Sequence, residues 1–354
     1  MELKEFATIN MGQSPKGETY NTDGNGMPFL QGRKTFGRIY PTIDTWTTDP
    51  IKIANKDEIL MSVRAPVGDM NFANKEICIG RGLCSISAKN GRNKYLYYML
   101  LNSMNDLKRK STGTVFDSIN RKDLENLEIN FHSEEEQEKI EKILGSLDDK
   151  IELNNEINNN LYEEAVALYK DKFKGIGQGK KTIGDYIVPK RGKNLLTRDA
   201  IDGDTPVVAG GIAPSAYHNQ FNTKSPVITI SASGANAGYT NLWNIPVWAS
   251  DCSYIDDSIT KNVYFWYVVL KTRQNEIFDA QTGSAQPHIY PQHIAEMGIG
   301  ELNIAEVDKY NNLVTPLFKM IGENQKENKK LSELRDTLLP KLMNGEIDLD
   351  NIEI

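Results

Sequence analysis

Two stretches of the chain carry the same helical pattern of apolar and asparagine residues at a fixed offset of 170 positions. The shared positions are spaced alternately four and three residues apart, which is the spacing along the seam of a coiled coil. In each helix, asparagine occupies two consecutive positions of the seam. These are Asn154 and Asn158 in the first helix and Asn324 and Asn328 in the second. Because a seam asparagine lowers stability and fixes register, its recurrence indicates a tandem duplication. The predicted seam comprises Ile140, Leu144, Leu147, Ile151, Asn154, Asn158, Leu161, Val314, Leu317, Ile321, Asn324, Asn328, Leu331 and Leu338.

The similarity between the two halves extends beyond the helices. Gly12 matches Gly192 at an offset of 180, whereas later segments match at 169 or 170, so the second globular domain is about ten residues shorter. These later segments are 59–62 with 228–231, 95–101 with 264–270, and 112–114 with 282–284. The predicted borders are 1–132 for the first globular domain, 133–173 for the central helix, 174–303 for the second globular domain and 304–354 for the C-terminal helix.

Both globular domains are rich in β-branched runs bounded by Gly, Asn and Thr, and each also has one helical pattern. The sequence therefore predicts an α+β fold in which two mixed α/β globular domains repeat in tandem. Strands are expected at 58–63, 76–79, 83–87, 226–231 and 246–249, and helices at 94–107 and 262–275.

The two long helices need a partner. Ser133 followed by three glutamates is typical of a helix start, and the first helix is predicted to run to about Phe173. The second is predicted from about Ala305 to Leu339, with Pro340 ending it. Because neither helix can bury its apolar stripe alone, we predict an intramolecular coiled coil between them. The seam leaves the direction of pairing open, and the alternative is that each helix packs on its own globular domain.

The net charge of −7 is unevenly distributed. Residues 1–132 hold 18 Lys and Arg against 15 Asp and Glu, whereas the central helix segment 133–173 holds 5 against 12. Residues 174–303 hold 11 against 11, and residues 304–354 hold 7 against 10. The acidity therefore lies on the helices, and the globular domains can still present a basic surface to nucleic acid.

No catalytic or metal-binding pattern is present in the sequence. The 4 His and 3 Cys never approach metal-ligand spacing, and no phosphate-binding glycine motif follows a predicted strand. No apolar run approaches the ~20 residues needed to cross a bilayer, and no secretory leader is recognisable, so we expect a cytoplasmic protein with no membrane partner. These observations favour a recognition or scaffolding protein over an enzyme.

Basic and polar residues cluster in predicted loops, where they are candidates for DNA binding. Lys and Arg neutralise phosphates, while Arg, Asn and Gln read base edges. The alternative for each is an ordinary solvated surface charge. The candidates are Arg33, Lys34, Arg38, Arg64, Arg81, Lys108, Arg109 and Lys110 in the first domain, and Lys190, Arg191, Lys193, Asn194, His218, Gln286 and His288 in the second.

Three segments of this chain resemble the specificity subunit of type I restriction-modification systems. Residues 58–68 with 78–83 are similar to a stretch of that family's target-recognition domains, 135–154 to its central helical region, and 334–347 to its C-terminal end. One departure is Phe131-His132-Ser133, where the family usually has proline.

The resemblance implies two target-recognition domains held apart by an antiparallel coiled coil, each reading one half of a split, asymmetric sequence in double-stranded DNA. It implies two adenine-methylating modification subunits and a motor-nuclease restriction subunit as partners. S-adenosylmethionine, ATP and Mg²⁺ would be bound by those partners, with no cofactor in this chain. From the residues alone, two alternatives remain open: a protein–protein scaffold that does not bind DNA, and an enzyme with an unrecognised active site.

Overall fold

The computed structural model describes residues 1–110, 118–177, 179–283 and 286–349, without the side chains of 105–110. Contacts divide the chain into two compact units. Unit 1 contains Met1–Lys150 and Leu331–Ile354, and unit 2 contains Ile151–Lys330. These borders fall inside the two long helices, so each unit combines one globular segment with part of each helix. The predicted borders followed the helix ends instead.

Unit 1 contains two sheets. In the antiparallel sheet the strand order is β1-β9-β6-β7, and in the second sheet it is β2-β4-β3-β8-β5, with β3 and β8 parallel. Successive side chains of β6 point to opposite faces of the sheet. Ile59 and Met61 therefore lie in the main hydrophobic core of unit 1, whereas Leu60 lies in a smaller core on the other face. The elements are α1 (Leu3–Phe6), β1 (Ala7–Met11), β2 (Tyr20–Asn21), β3 (Met27–Leu30), β4 (Trp46–Thr47), β5 (Ile53–Ala54), β6 (Ile59–Ser62), β7 (Met70–Phe72), β8 (Ile77–Ile79), β9 (Leu83–Ala88), α2 (Asn93–Lys110) and α3 (Arg121–Glu125).

Unit 2 contains a four-stranded antiparallel sheet whose order, β11-β17-β14-β15, follows the same pattern as that of unit 1. A three-stranded sheet, β13-β12-β16, again contains a parallel pair, β12 with β16. In sequence, the elements of unit 2 follow the long helix α4 (Glu134–Lys172) and precede the long helix α8 (Ile304–Met343). They are β10 (Lys181–Thr182), β11 (Lys190–Arg191), β12 (Thr205–Val208), β13 (Ala216–His218), β14 (Val227–Ser231), β15 (Thr240–Trp243), β16 (Trp248–Ala249), β17 (Cys252–Asp256), α5 (Val263–Thr272), α6 (Gln274–Asp279), α7 (Pro291–Ala295) and β18 (Gly298–Ile299).

The five strands and two shorter helices predicted from the sequence are all present, although 262–275 is divided between α5 and α6. The predicted start of α4 is confirmed, because the Ser133 hydroxyl accepts the Glu136 N–H at 3.3 Å and the Glu136 carboxylate accepts the Ser133 N–H at 2.7 Å. The predicted end of α8 is wrong. Helix α8 continues through Pro340 to Met343, because the turn after the proline buries Leu342 and Met343 in the core of unit 1, which offsets the missing helical hydrogen bond. Gly345 at φ +69° follows the end.

Hydrogen bonds in unit 2 give the direction in which α4 and α8 pair there. Asn154 donates to Asn328 at 2.8 Å, and Asn324 donates to Asn158 at 2.8 Å. The Tyr310 hydroxyl donates to the carbonyl of Ala165 at 2.8 Å. The partner number falls as the α4 number rises, so these stretches are antiparallel. Every residue of the predicted seam is buried or half-buried.

In unit 1 the same two helices meet around a partly buried ion cluster of Asp148, Arg335 and Arg38. The Asp148 carboxylate accepts from the Arg335 guanidinium at 2.7 Å and from the Tyr98 hydroxyl at 2.8 Å, and Arg38 lies 3.4 Å away. Burial, reinforced by the Asp148 charge, raises the pKa of Tyr98. The residue 170 positions after Asp148 is Phe318 of unit 2. The centroid of its ring lies 5.7 Å from that of Tyr267.

All three cysteines, Cys78, Cys84 and Cys252, are buried and form no disulfide. Burial raises the pKa of Cys84 and of Cys252 to about 12, so neither is a reactive thiolate near neutral pH. Cys84 and Cys252 do not occupy matching positions in their two units. Gly12 bonds Leu83 and Gly192 bonds Cys252 through matching backbone contacts, so Cys252 corresponds to Leu83.

Candidate nucleic-acid interface

Four loop segments of unit 1, 12–14, 31–33, 63–69 and 80–82, meet at the ends of β1, β3, β6 and β8, and we call this region junction 1. The Gly82 N–H donates to the Gln31 carbonyl at 3.1 Å, and the Val63 N–H donates to the Gly82 carbonyl at 3.0 Å. Gly12 lies so close to the segment 80–82 that a Cβ on Gly12 would be 2.8 Å from the carbonyl oxygens of the flanking residues Ile79 and Leu83. The loops therefore meet mainly through backbone, and the Ser14 hydroxyl adds a hydrogen bond to the Gln31 side chain at 2.8 Å.

Junction 1 presents arginines to solvent. Arg33, Arg64 and Arg81 are all exposed, as is the adjacent Lys34. Arg33 forms an ion pair with Asp69. Within the part of the chain that the structure describes, neither Arg64 nor Arg81 forms an ion pair, so junction 1 carries a surplus of positive charge that could contact DNA phosphates or bases.

Segments 192–195, 209–211, 231–238, 249–251 and 286–289 meet in unit 2 through corresponding backbone contacts, and we call this region junction 2. The Gly192 N–H donates to the Cys252 carbonyl at 2.8 Å. The Ala232 N–H donates to the Asp251 carbonyl at 3.1 Å, and the Gly234 N–H donates to the Pro287 carbonyl at 3.1 Å. A Cβ on Gly192 would lie 2.6 Å from the Ala249 carbonyl oxygen, so this glycine allows the same close approach as Gly12.

Junction 2 contains an acidic side chain, Asp251, beside basic residues of its own and of the adjacent strand β11. Arg191 forms an ion pair with Asp251, and the Ser233 hydroxyl also donates to that carboxylate. Asn194 accepts from the Ser250 hydroxyl at 3.5 Å. Lys190, Lys193, Asn194 and Gln286 are exposed, whereas His288 is half-buried and stacks on Tyr290 with ring centroids 6.0 Å apart.

Comparison with known proteins shows which proteins this chain is similar to. Residues 1–163 match the family model of the type I restriction modification DNA specificity domain. The MjaIX type I restriction enzyme specificity subunit of Methanocaldococcus jannaschii is 28% identical over 99% of this chain and 94% of its own length. Residues 1–163 therefore carry a type I restriction modification DNA specificity domain, and the whole chain is similar to specificity subunits of that kind. The departure at Phe131-His132-Ser133 does not alter this, because those residues lie within the matched region.

One further relative matches less than half of this chain, and one solved structure matches nearly all of it at low sequence identity. The MjaX specificity subunit of M. jannaschii is 42% identical, but the match spans 42% of this chain and only 36% of that relative's length. The crystal structure of a type I S subunit from Mycoplasma genitalium covers 97% of this chain and 95% of its own with a TM-score of 0.55. At 21% identity, that structure supports the mixed α/β fold and nothing finer.

Several predicted DNA-binding residues lie outside the two junctions. Arg38 contacts Asp148 in the ion cluster. His218 is 5% exposed, its Nδ1 accepts the Ile201 N–H at 2.9 Å and its ring packs edge-on against Trp248, so we exclude it from the interface. The side chains of Lys108, Arg109 and Lys110 lie outside the described residues, as do 112–114.

Sequence reasoning missed Asp69, Asp251 and Ser233, which hold or neighbour the junction arginines. Their contacts join residues far apart in sequence, so no local motif indicates them.

Among the described residues, no group of three or more His, Cys, Asp or Glu side chains is arranged to hold a metal ion. No described helix is both long and apolar enough to cross a membrane.

Replacing Gly12 with alanine should destabilise unit 1 by roughly 1–3 kcal/mol, because the new methyl group overlaps backbone that cannot move independently of the sheet. Urea denaturation measures the change. Gly32→Ala is the matched control, since a Cβ at Gly32 in the same junction meets nothing within 4 Å. Equal stability of the two variants would contradict the close packing of junction 1.

Proposed function

We propose that this chain is the DNA-sequence specificity subunit of a type I restriction-modification complex and reads a bipartite, asymmetric double-stranded DNA target. Junction 1 would contact one half-site and junction 2 the other. The observation that carries this proposal is the recurrence of one loop arrangement in both units, each time with exposed basic side chains on a framework closed by backbone contacts. The similarity of residues 1–163 to a DNA specificity domain makes DNA the expected ligand of those side chains.

The proposal includes a tandem repeat. It is supported by the matching strand orders and by equivalent hydrogen bonds, such as Gly12 to Leu83 in one unit and Gly192 to Cys252 in the other. The side chains of the two junctions differ, so the two half-sites should differ as well. An exact duplicate would instead favour a symmetric target.

We also propose that α4 and α8 form an antiparallel coiled coil that sets the spacing between the half-sites. The asparagine pairs of unit 2 and the Asp148–Arg335 contact of unit 1 support antiparallel pairing. Polar seam contacts of this kind fix register, because a shift by one heptad would leave them without partners.

Catalysis would belong to partner subunits. We propose that the chain is non-catalytic by itself and assembles with two adenine-specific modification subunits and a restriction subunit in the cytoplasm. S-adenosylmethionine, ATP and Mg²⁺ would bind to those partners. The acidic surfaces of α4 and α8 would repel DNA phosphates and are therefore suited to contacts with protein.

Footprinting of DNA with the full chain and its modification subunit tests the proposal. We expect protection of two short tracts separated by a weakly protected gap. A scaffold with no affinity for DNA, which is the alternative function, would protect no sequence. The methylated adenines of a genome that expresses both subunits would then identify the target.

Replacing both Arg64 and Arg81 with alanine should weaken DNA binding about tenfold or more and lower the slope of log affinity against log salt by about two, because two cations are removed. Assembly with the modification subunit should be unchanged. A titration at several salt concentrations measures both quantities. The control is Arg121→Ala with Lys122→Ala, which removes two exposed charges on α3. Wild-type affinity in the Arg64/Arg81 variant would exclude these arginines from the interface.

A further inference from the structure

Backbone hydrogen bonds align the two junctions residue by residue. Val63 donates to Gly82 and accepts from Ile119, both at 3.0 Å, and Ala232 likewise donates to Asp251 at 3.1 Å and accepts from Ile289 at 2.9 Å. Val63 and Ala232 are therefore equivalent. The residues that follow them, Arg64 and Ser233, occupy the same place in their units.

The neighbouring turn is aligned in the same way. The Gly80 N–H donates to Leu30 at 2.8 Å, as the Ser250 N–H does to Val208. Unit 1 then has Arg81-Gly82 before β9, whereas unit 2 has Asp251 alone before β17. The turn is one residue shorter in unit 2, and an acid stands where unit 1 carries an arginine and a glycine.

These replacements change the hydrogen-bonding chemistry of the surface. Arg64 and Arg81 carry only donors, which match the O6 and N7 acceptors of guanine in the major groove. Asp251 carries only acceptors when ionised, which match the exocyclic amino group of cytosine or adenine. The two junctions therefore differ in the kind of base edge that they complement.

Asp251 is held in position for such a contact. Arg191 and Ser233 bind its two carboxylate oxygens, and its side chain remains 31% exposed. Each carboxylate oxygen can accept a second hydrogen bond. The guanidinium of Arg191 also offsets the negative charge, which would otherwise be repelled by nearby DNA phosphates.

We propose that Arg64 and Arg81 make junction 1 select a half-site containing guanine, whereas Asp251 makes junction 2 select a base with an exocyclic amino group, cytosine or adenine. This inference rests on the proposed function and specifies the chemistry of its two sites. Arg191 and Ser233 are positioning residues for Asp251 in this scheme.

Selection from DNA libraries with both half-sites randomised tests the inference, using the full chain with its modification subunit. Asp251→Asn should reduce the preference at one position of one half-site by roughly tenfold, because an amide presents a donor as well as an acceptor. The other half-site should keep its sequence. Asp257→Asn is the matched control, since it neutralises an acid of unit 2 that is similarly half-buried and pairs with Lys261, outside junction 2.

The reciprocal variant, Arg64→Ser with Arg81→Gln, should lose its guanine preference at the other half-site only. It also serves if Asp251→Asn fails to fold, as a thermal melt would reveal. If the wild-type chain selects no sequence, the proposed function itself fails. If the wild type selects a split target and the folded variants select the same bases with unchanged preference, the present inference is overturned and the proposed function stands.

Discussion

Arg335→Ala should lower the free energy of unfolding by about 3 kcal/mol, because it leaves the Asp148 carboxylate without its nearest cation. The Asp148 side chain is only 13% exposed, so water cannot fully replace the guanidinium. The Tyr98 hydroxyl and the more distant Arg38 remain as partial compensation. Urea denaturation monitored by circular dichroism measures the loss, provided that the transition is two-state.

A surface ion pair supplies the control. Arg121→Ala breaks the exposed pair with Glu125 on α3 and should cost less than about 1 kcal/mol. If Arg335→Ala costs no more than Arg121→Ala, the ion cluster does not contribute to the stability of unit 1.

A double variant separates the burial of an unpaired charge from the loss of packing. Asp148→Phe with Arg335→Ala reproduces the residues that unit 2 has at the matching positions, Phe318 and Ala165. Replacing a buried ion pair by apolar side chains is often neutral, so the double variant should recover much of the stability lost by Arg335→Ala alone. A double variant less stable than Arg335→Ala would show that the surroundings of Asp148 require a polar group.

Inserting seven residues into each long helix should lengthen the gap between the half-sites and abolish methylation at the original target. Seven residues add about 10.5 Å to a helix and preserve the phase of the seam. That length corresponds to roughly three base pairs of B-DNA. Insertions after Glu156 in α4 and after Gln325 in α8 lie between the two asparagine pairs, so both pairs can still form.

Sequencing of methylated adenines reads out the new spacing. The half-site sequences themselves should not change, since neither junction is altered. Insertion into α4 alone is the informative control, because it shifts one seam against the other and should reduce stability and activity together. If the paired insertion leaves the target spacing unchanged, the helices do not set the distance between the half-sites.

Periodicity was a strong guide to the elements of this protein and a weak guide to its interface. The seam positions from Ile140 to Leu338 are buried or half-buried, because a four-three apolar spacing places these side chains on one face of each helix, and that face packs away from water. Pro340 misled the prediction of the end of α8, since burial of Leu342 and Met343 beyond the proline favours one more helical turn. The surface residues carried no such periodic constraint, and so Arg38 and His218 were indistinguishable from Arg64 until their contacts were known.

The sequence by itself determined the two long helices, the internal similarity of the two halves and the family to which the chain is similar, because each of these is written in spacings along one chain. Only the tertiary structure decided which loops meet at the two junctions, that Arg335 faces Asp148, and that Asp251 stands between Arg191 and Ser233. Those contacts join residues tens to hundreds of positions apart. They depend on how strands are ordered in a sheet and on where glycines allow backbones to approach, and neither is encoded in a local pattern.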